Sequence, residues 1–286
     1  MKRRILILSA VVVLLAITFV PALAITNGQP DGKAHPYVGL VLFYDEDWVP
    51  LWRCSSSLLS SNLLLTAGHC TDGAAHAQVW FDAGPVAVNP DFPGGSCLDG
   101  GPYAGYPCEG GTKGTPYTNP DYGVGNPYGG GNGLPAFSYR DVGVVVLDNP
   151  APISSFASLP SAGQVDALKN KSAVDLVGYG VSAQVMLYPG QPPRARWTGP
   201  RERMYAPSEL VSGKFVHSAE YMRLALNPGG GSGGTCFGDS GGPDLLGGTN
   251  TVLAVNSYVT NVNCSGVGYS ARVDVPAVLS WITGPH

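Results

Sequence analysis

Several things are scarce in this sequence. Beyond residue 20 no apolar run is long enough to span a bilayer, so no internal membrane helix is expected. No fixed-period repeat is visible. No group of Cys, His and Asp has metal-ligand spacing, so no required metal, and no other cofactor, is expected. Positive charge is short as well. Sixteen Lys and Arg stand against 20 acids, and residues 1–24 hold three of the former and none of the latter. Without them the chain carries 13 − 20 = −7. Binding to phosphate rests on clustered Lys and Arg, so nucleic acid is excluded as the main partner.

What is present begins with a leader. Lys2, Arg3 and Arg4 precede an apolar run from Ile5 to Val20 that contains Ser9, and Pro21 and Ala22-Leu23-Ala24 follow. A basic start, a short apolar run and an A-x-A exit read as a secretory signal peptide over residues 1–24. The rival is an uncleaved anchor, but sixteen residues fall just short of the ~17–25 of a spanning helix. The expected product is secreted, monomeric and without stable membrane association. Its 286 − 24 = 262 residues fit one large domain or two small ones. Six cysteines in an exported chain suggest three disulfides.

Across the full chain, forty glycines and 25 prolines leave only short uninterrupted segments after the leader. Between the breaks lie β-type runs at 37–44, 62–66, 77–81, 142–147, 172–180, 221–226 and 251–259, rich in Val, Leu and aromatics. Many short strands without alternating helices predict an all-β barrel or sandwich. One terminal helix is expected in "DVPAVLSWI", with Asp274 near its cap, Pro276 early, and Val278, Trp281 and Ile282 on one face. Residues 94–133 are dominated by Gly, Pro and Tyr and hold Cys97 and Cys108. They read as a long surface loop, or more sharply as a loop that shapes a binding cleft.

Three strings carry chemistry: "LTAGHC" ending at Cys70, "YRDVGVVVL" from Tyr139, and "TCFGDSGGP" from Thr235 to Pro243. A serine hydroxyl is a poor nucleophile near neutral pH. It needs an imidazole to take its proton, and the imidazole needs a carboxylate to fix its tautomer. Ser240, His69 and Asp141 are the candidates, in the order His, Asp, Ser. His35, His76, His217 and His286 show no such pattern.

With these strings the chain resembles the chymotrypsin/trypsin family of serine proteases, from "ITNG" at 25–28 through "GYG" at 178–180 and "NSY" at 256–258 to "SARVDV…WI". The resemblance implies two six-stranded antiparallel β-barrels with a C-terminal helix. The first spans 25–152 and carries His69, Asp141 and loop 94–133. The second spans 153–286 and carries Ser240. It implies a serine endopeptidase acting on protein or peptide substrates through an acyl-enzyme. It further implies an oxyanion hole from the N–H groups of Gly238 and Ser240, and support of Asp141 by Ser257. A mature N-terminus at Ile25 would fold inward and pair with Asp239, so that signal cleavage after Ala24 would itself complete the active site. The implied disulfides are Cys54–Cys70 and Cys236–Cys264, which leaves Cys97–Cys108.

By the same resemblance Gly234 is the floor of the primary specificity pocket, where trypsin-like members keep an aspartate. Val259 narrows its wall and Val267 lies nearby, which implies a preference for small or medium apolar residues before the cut. The chain departs from the family in "CSSSLL" at 54–59, where glycines are common, and at Gly68, where alanine is usual. The competing readings are a protease fold kept as a binding module and an esterase. "GDSGGP" is not the G-x-S-x-G elbow of the latter.

Overall fold

The computed structural model describes residues 25–26, 28–86, 110–123, 140–181, 183–186, 195–198, 201–211, 219–227, 233–261 and 263–286. The leader and Asn27 lie outside these residues, as do Cys97, Cys108 and most of 94–133.

After the two-residue strand β1 (Gln29–Pro30), six strands close into a barrel: β2 (Val38–Tyr44), β3 (Pro50–Ser60), β4 (Leu63–Thr66), β5 (His76–Trp80), β6 (Thr112–Thr118) and β7 (Gly143–Leu147). Their order around the barrel is β2-β3-β4-β7-β6-β5, and every neighbour pair is antiparallel. Closure removes exposed edges, so a strand such as β2 is buried at all seven positions and reads as continuous apolar sequence. β6 lies inside the stretch expected to be a loop. Residues 112–118 are therefore barrel wall, and the loop expectation for 94–133 gives way there.

The second half contains β8 (Ala173–Gly178), a ribbon of β9 (Ala183–Met186) with β10 (Ala195–Thr198), β11 (Met204–Glu209), β12 (Tyr221–Leu226), β13 (Pro243–Leu246), β14 (Val252–Val259) and β15 (Gly266–Arg272). Apart from the β9–β10 ribbon, these strands and β1 form a seven-stranded sheet ordered β1-β11-β8-β13-β14-β15-β12. The sheet curls until β12 meets the chain just after β11. There Leu210 bridges Leu224, and the Val211 N–H donates to the Arg223 carbonyl at 3.0 Å. The second barrel is thus joined by a single bridge rather than a full ladder.

The terminal helix α2 (Pro276–Ile282) follows a four-residue helix α1 (Gly68–Thr71) and buries Val278 and Ile282 against the core. Asp274 does not cap it. Its carboxylate takes two bonds from Arg272 and one from the Val165 N–H. Buried Arg203 links the N-terminal segment to the first barrel, donating to Asp31 Oδ2 at 2.8 Å and to the carbonyls of Val38 and Phe81.

Candidate active site

β4 ends at Thr66, and Ala67 leads into α1. Asp141 stands just before β7, which pairs with β4 through Thr66 and Gly143. Adjacent strand ends therefore bring His69 and Asp141 together across 72 residues of sequence. Asp141 is 2 % exposed. Its Oδ1 accepts the His69 backbone N–H at 2.7 Å and its Oδ2 accepts the ring Nδ1–H at 2.8 Å. Ser257, from β14, donates its hydroxyl to Oδ2 as well. A buried carboxylate with three donors is well compensated. It holds the imidazole proton on Nδ1 and leaves Nε2 with a lone pair. Burial disfavours the imidazolium, but the Asp141 charge and hydrogen bond outweigh it, and the His69 pKa lies above its ordinary 6.5.

Ser240 comes from the second half of the chain, on a loop packed against the residues just before His69. Gly241 has φ +76°, and a Cβ there would lie 2.0 Å from Thr66 Oγ1 and 2.7 Å from the Ala67 nitrogen. Only glycine allows this approach, which seats the Ser240 loop against the chain two residues before His69. Ser240 Oγ and His69 Nε2 are not hydrogen-bonded, and Nε2 contacts the Cys70 sulfur at 3.6 Å. Such bonds often tighten only when substrate is present.

The carbonyls around Ser240 are all held. That of Phe237 accepts the Val181 N–H at 2.9 Å, Gly238 the Ser55 hydroxyl at 3.0 Å, Asp239 the Gly242 N–H at 2.9 Å, and Ser240 the Ser55 N–H at 2.8 Å. Gly238 has φ +95°. Among the described residues the N–H groups of Gly238 and Ser240 donate to no acceptor.

Asp239 is fully buried and accepts the Gly180 N–H at 2.7 Å and the Cys236 N–H at 2.9 Å. Burial pushes its pKa up to about 7 against those two bonds and the charge of Arg53. Ile25 is also fully buried. Thr26 exchanges backbone hydrogen bonds with Gly234, both at 2.9 Å, and this pairing fixes where the segment enters. Gly234 is thus engaged with the N-terminal segment.

A cavity of about 240 Å³ opens beside Ser240, with Thr235, Tyr258 and Val259 in its wall and no charged side chain in its lining. Of the three residues named for the specificity pocket, Val259 lines this cavity, and Gly234 and Val267 do not. Cys54 bonds Cys70 and Cys236 bonds Cys264. Cys54, His69 and Cys70 crowd together as a metal trio would, but the disulfide ties up both sulfurs.

Sequence reasoning did not single out Ser55, Arg53 or Tyr122. Arg53 donates to the Tyr179 carbonyl at 3.0 Å, and its guanidinium sits 2.7 Å from where a Cβ on Gly238 would be. The departure at Gly68 also has a cause, because a Cβ there would lie 2.9 Å from Tyr122 Cδ2 and 3.0 Å from the Val142 nitrogen. The unusual "CSSSLL" string was the available signal for Ser55.

No protein-family model and no curated protein sequence matches the chain. Solved structures do. HL collagenase superposes with a TM-score of 0.61 at 18% identity, over 90% of this chain and 96% of that one. Human heparin binding protein gives 0.58 at 14% identity over 91% and 96%. GrC gives 0.58 at 16% over 90% and 97%. The chain has the chymotrypsin-like two-barrel fold that these structures share.

Proposed function

We propose that the protein is an exported serine endopeptidase. Ser240 Oγ attacks the scissile carbonyl while His69 Nε2 takes its proton. The N–H groups of Gly238 and Ser240 receive the negative charge that forms on the carbonyl oxygen. The imidazolium, steadied by Asp141, gives the proton to the leaving amine, and an acyl-Ser240 ester remains. Water activated by the same imidazole then hydrolyses the ester and restores the hydroxyl. The observation that carries this reading is the buried Asp141, which grips both the backbone and the ring of His69 and takes Ser257 on its free side.

The uncharged 240 Å³ cavity walled by Val259 supports a preference for small or medium apolar side chains before the cut. A preference for Arg or Lys would need an acid there. The burial of Ile25 and the close pairing of Thr26 with Gly234 support docking of a new Ile25 terminus beside Asp239. Edman sequencing of the secreted protein tests that step, with Ile25 expected first.

Labelling with a serine-reactive peptidyl phosphonate tests the core of the proposal. Wild-type protein should be labelled on Ser240, and Ser240→Ala and His69→Ala should not. Human heparin binding protein shares the fold, so a binding module is the second reading. Failure of the wild-type protein to be labelled would favour it. A peptide library then reads the preference, and equal or better cleavage after Arg overturns the apolar assignment.

A further inference from the structure

Ser55 lies on β3, two residues from Arg53 and next to Cys54. Strand residues two apart share a face, so Arg53 and Ser55 both point from the first barrel toward the second. The Ser55 side chain is fully buried and makes two bonds. Its Oγ accepts the Tyr179 N–H at 2.9 Å and donates to the Gly238 carbonyl at 3.0 Å. Its backbone N–H donates to the Ser240 carbonyl at 2.8 Å. Arg53 completes the clamp through the Tyr179 carbonyl, with its guanidinium filling the space that a Cβ on Gly238 would take.

These contacts bear on one peptide in particular. The Gly238 carbonyl belongs to the peptide unit between the two N–H groups assigned to the oxyanion hole. If that unit rotates, the Gly238 and Ser240 N–H groups no longer converge. A hydroxyl on a rigid barrel strand holds the unit by its oxygen while the Phe237 and Asp239 carbonyls are held on either side. A glycine at residue 55, usual in the family that the sequence resembles, could supply the backbone bond to Ser240 but neither side-chain bond.

We infer that Ser55 is a positioning residue for the oxyanion hole, its hydroxyl fixing the Gly238 peptide so that both N–H donors are aimed before substrate arrives. The inference rests on the endopeptidase reading. Preorganised donors act on the transition state and little on ground-state binding. Removing the hydroxyl therefore lowers kcat and leaves KM nearly unchanged.

The test compares wild type with Ser55→Gly and Ser55→Ala, using an apolar peptide amide substrate and a peptidyl aldehyde whose oxygen enters the hole on adding to Ser240. Each variant should lose about 10- to 100-fold in kcat, with aldehyde affinity falling in parallel and binding of the product peptide unchanged. Measurements are made well below the thermal midpoint of each variant. Unchanged kcat and aldehyde affinity overturn the inference even if the midpoint drops. Equal losses in product and aldehyde binding also overturn it, as does failure of both variants to fold, because either result assigns Ser55 to general structure. The endopeptidase reading fails separately, through absence of phosphonate labelling in the wild type.

Discussion

Placing one alanine before Ile25 replaces a terminal ammonium with a peptide bond and leaves every side chain intact. Asp239 is where the change should register. It is fully buried, and without a paired ammonium its pKa rises from 3.8 to about 7 even with two N–H donors and the charge of Arg53 nearby. That displacement corresponds to about 4 kcal/mol against the ionised form. In the extended chain the native state holds a proton on Asp239 that the unfolded state has already lost between about pH 4 and pH 7. Where the native state binds more protons, stability falls as pH rises. The extended chain should therefore lose about 4 kcal/mol across that window and level off above it. In a chain that begins at Ile25, the ammonium offsets the buried charge and the window should be nearly flat. Pairing raises the amine above its reference of ~7.7–8.0, so its contribution is full below that reference and is lost as pH climbs through the raised value. Guanidinium unfolding of the two forms, both carrying Ser240→Ala to prevent self-cleavage, measures this from pH 4 to pH 10. Single-turnover acylation of the active forms should show the extended chain slower by about 10²–10³ if the oxyanion hole depends on the pair. Superimposable stability curves together with equal acylation would refute the reasoning.

Three further outcomes are expected. Asp141→Asn should lower kcat by about 10⁴, and the pH-rate midpoint of His69, above 6.5 in the parent, should move down because burial then acts unopposed. Ser257→Ala removes one of the three donors on Asp141 and should cost about 1.5–3 kcal/mol in kcat/KM without weakening product binding. Gly68→Ala should destabilise by about 1–3 kcal/mol in chemical denaturation, and adding Tyr122→Ala should restore part of the loss, since the Tyr122 ring is the nearest atom group the methyl would strike.

Strands that are mostly or wholly buried were legible. The runs at 37–44 and 221–226 became β2 and β12 almost residue for residue, because β2 is buried at every position and β12 at four of six. β3, β6, β11 and β13 were not singled out. Each carries a proline, which argues against a strand interior at 116 and 207 and reads as a turn residue at 50 and 243, where it opens the strand. β3 also buries Ser55, Ser56 and Ser57, which read as polar in sequence. Two of these hydroxyls are paired inside the fold, Ser55 as described and Ser56 with the Gly39 carbonyl at 3.3 Å. In the candidate site, short strings drew attention to His69, Asp141, Ser240 and Ser257, and the structure joins three of them, since His69 and Ser257 both bond Asp141. The pairing of Gly234 with Thr26 was not legible, because the two lie 208 residues apart and nothing in either neighbourhood of sequence reports the contact.

β3 joins the two reacting arms over a very short path. Cys54 is bonded to the residue after His69, and Ser55 grips the loop that ends in Ser240. The distance over which the proposed base and nucleophile are referenced to each other is thus one strand step, ~3.3 Å, rather than the width of two barrels. Rocking of one barrel against the other would leave the two groups in step for as long as the Ser55 hydrogen bonds to the Ser240 loop hold.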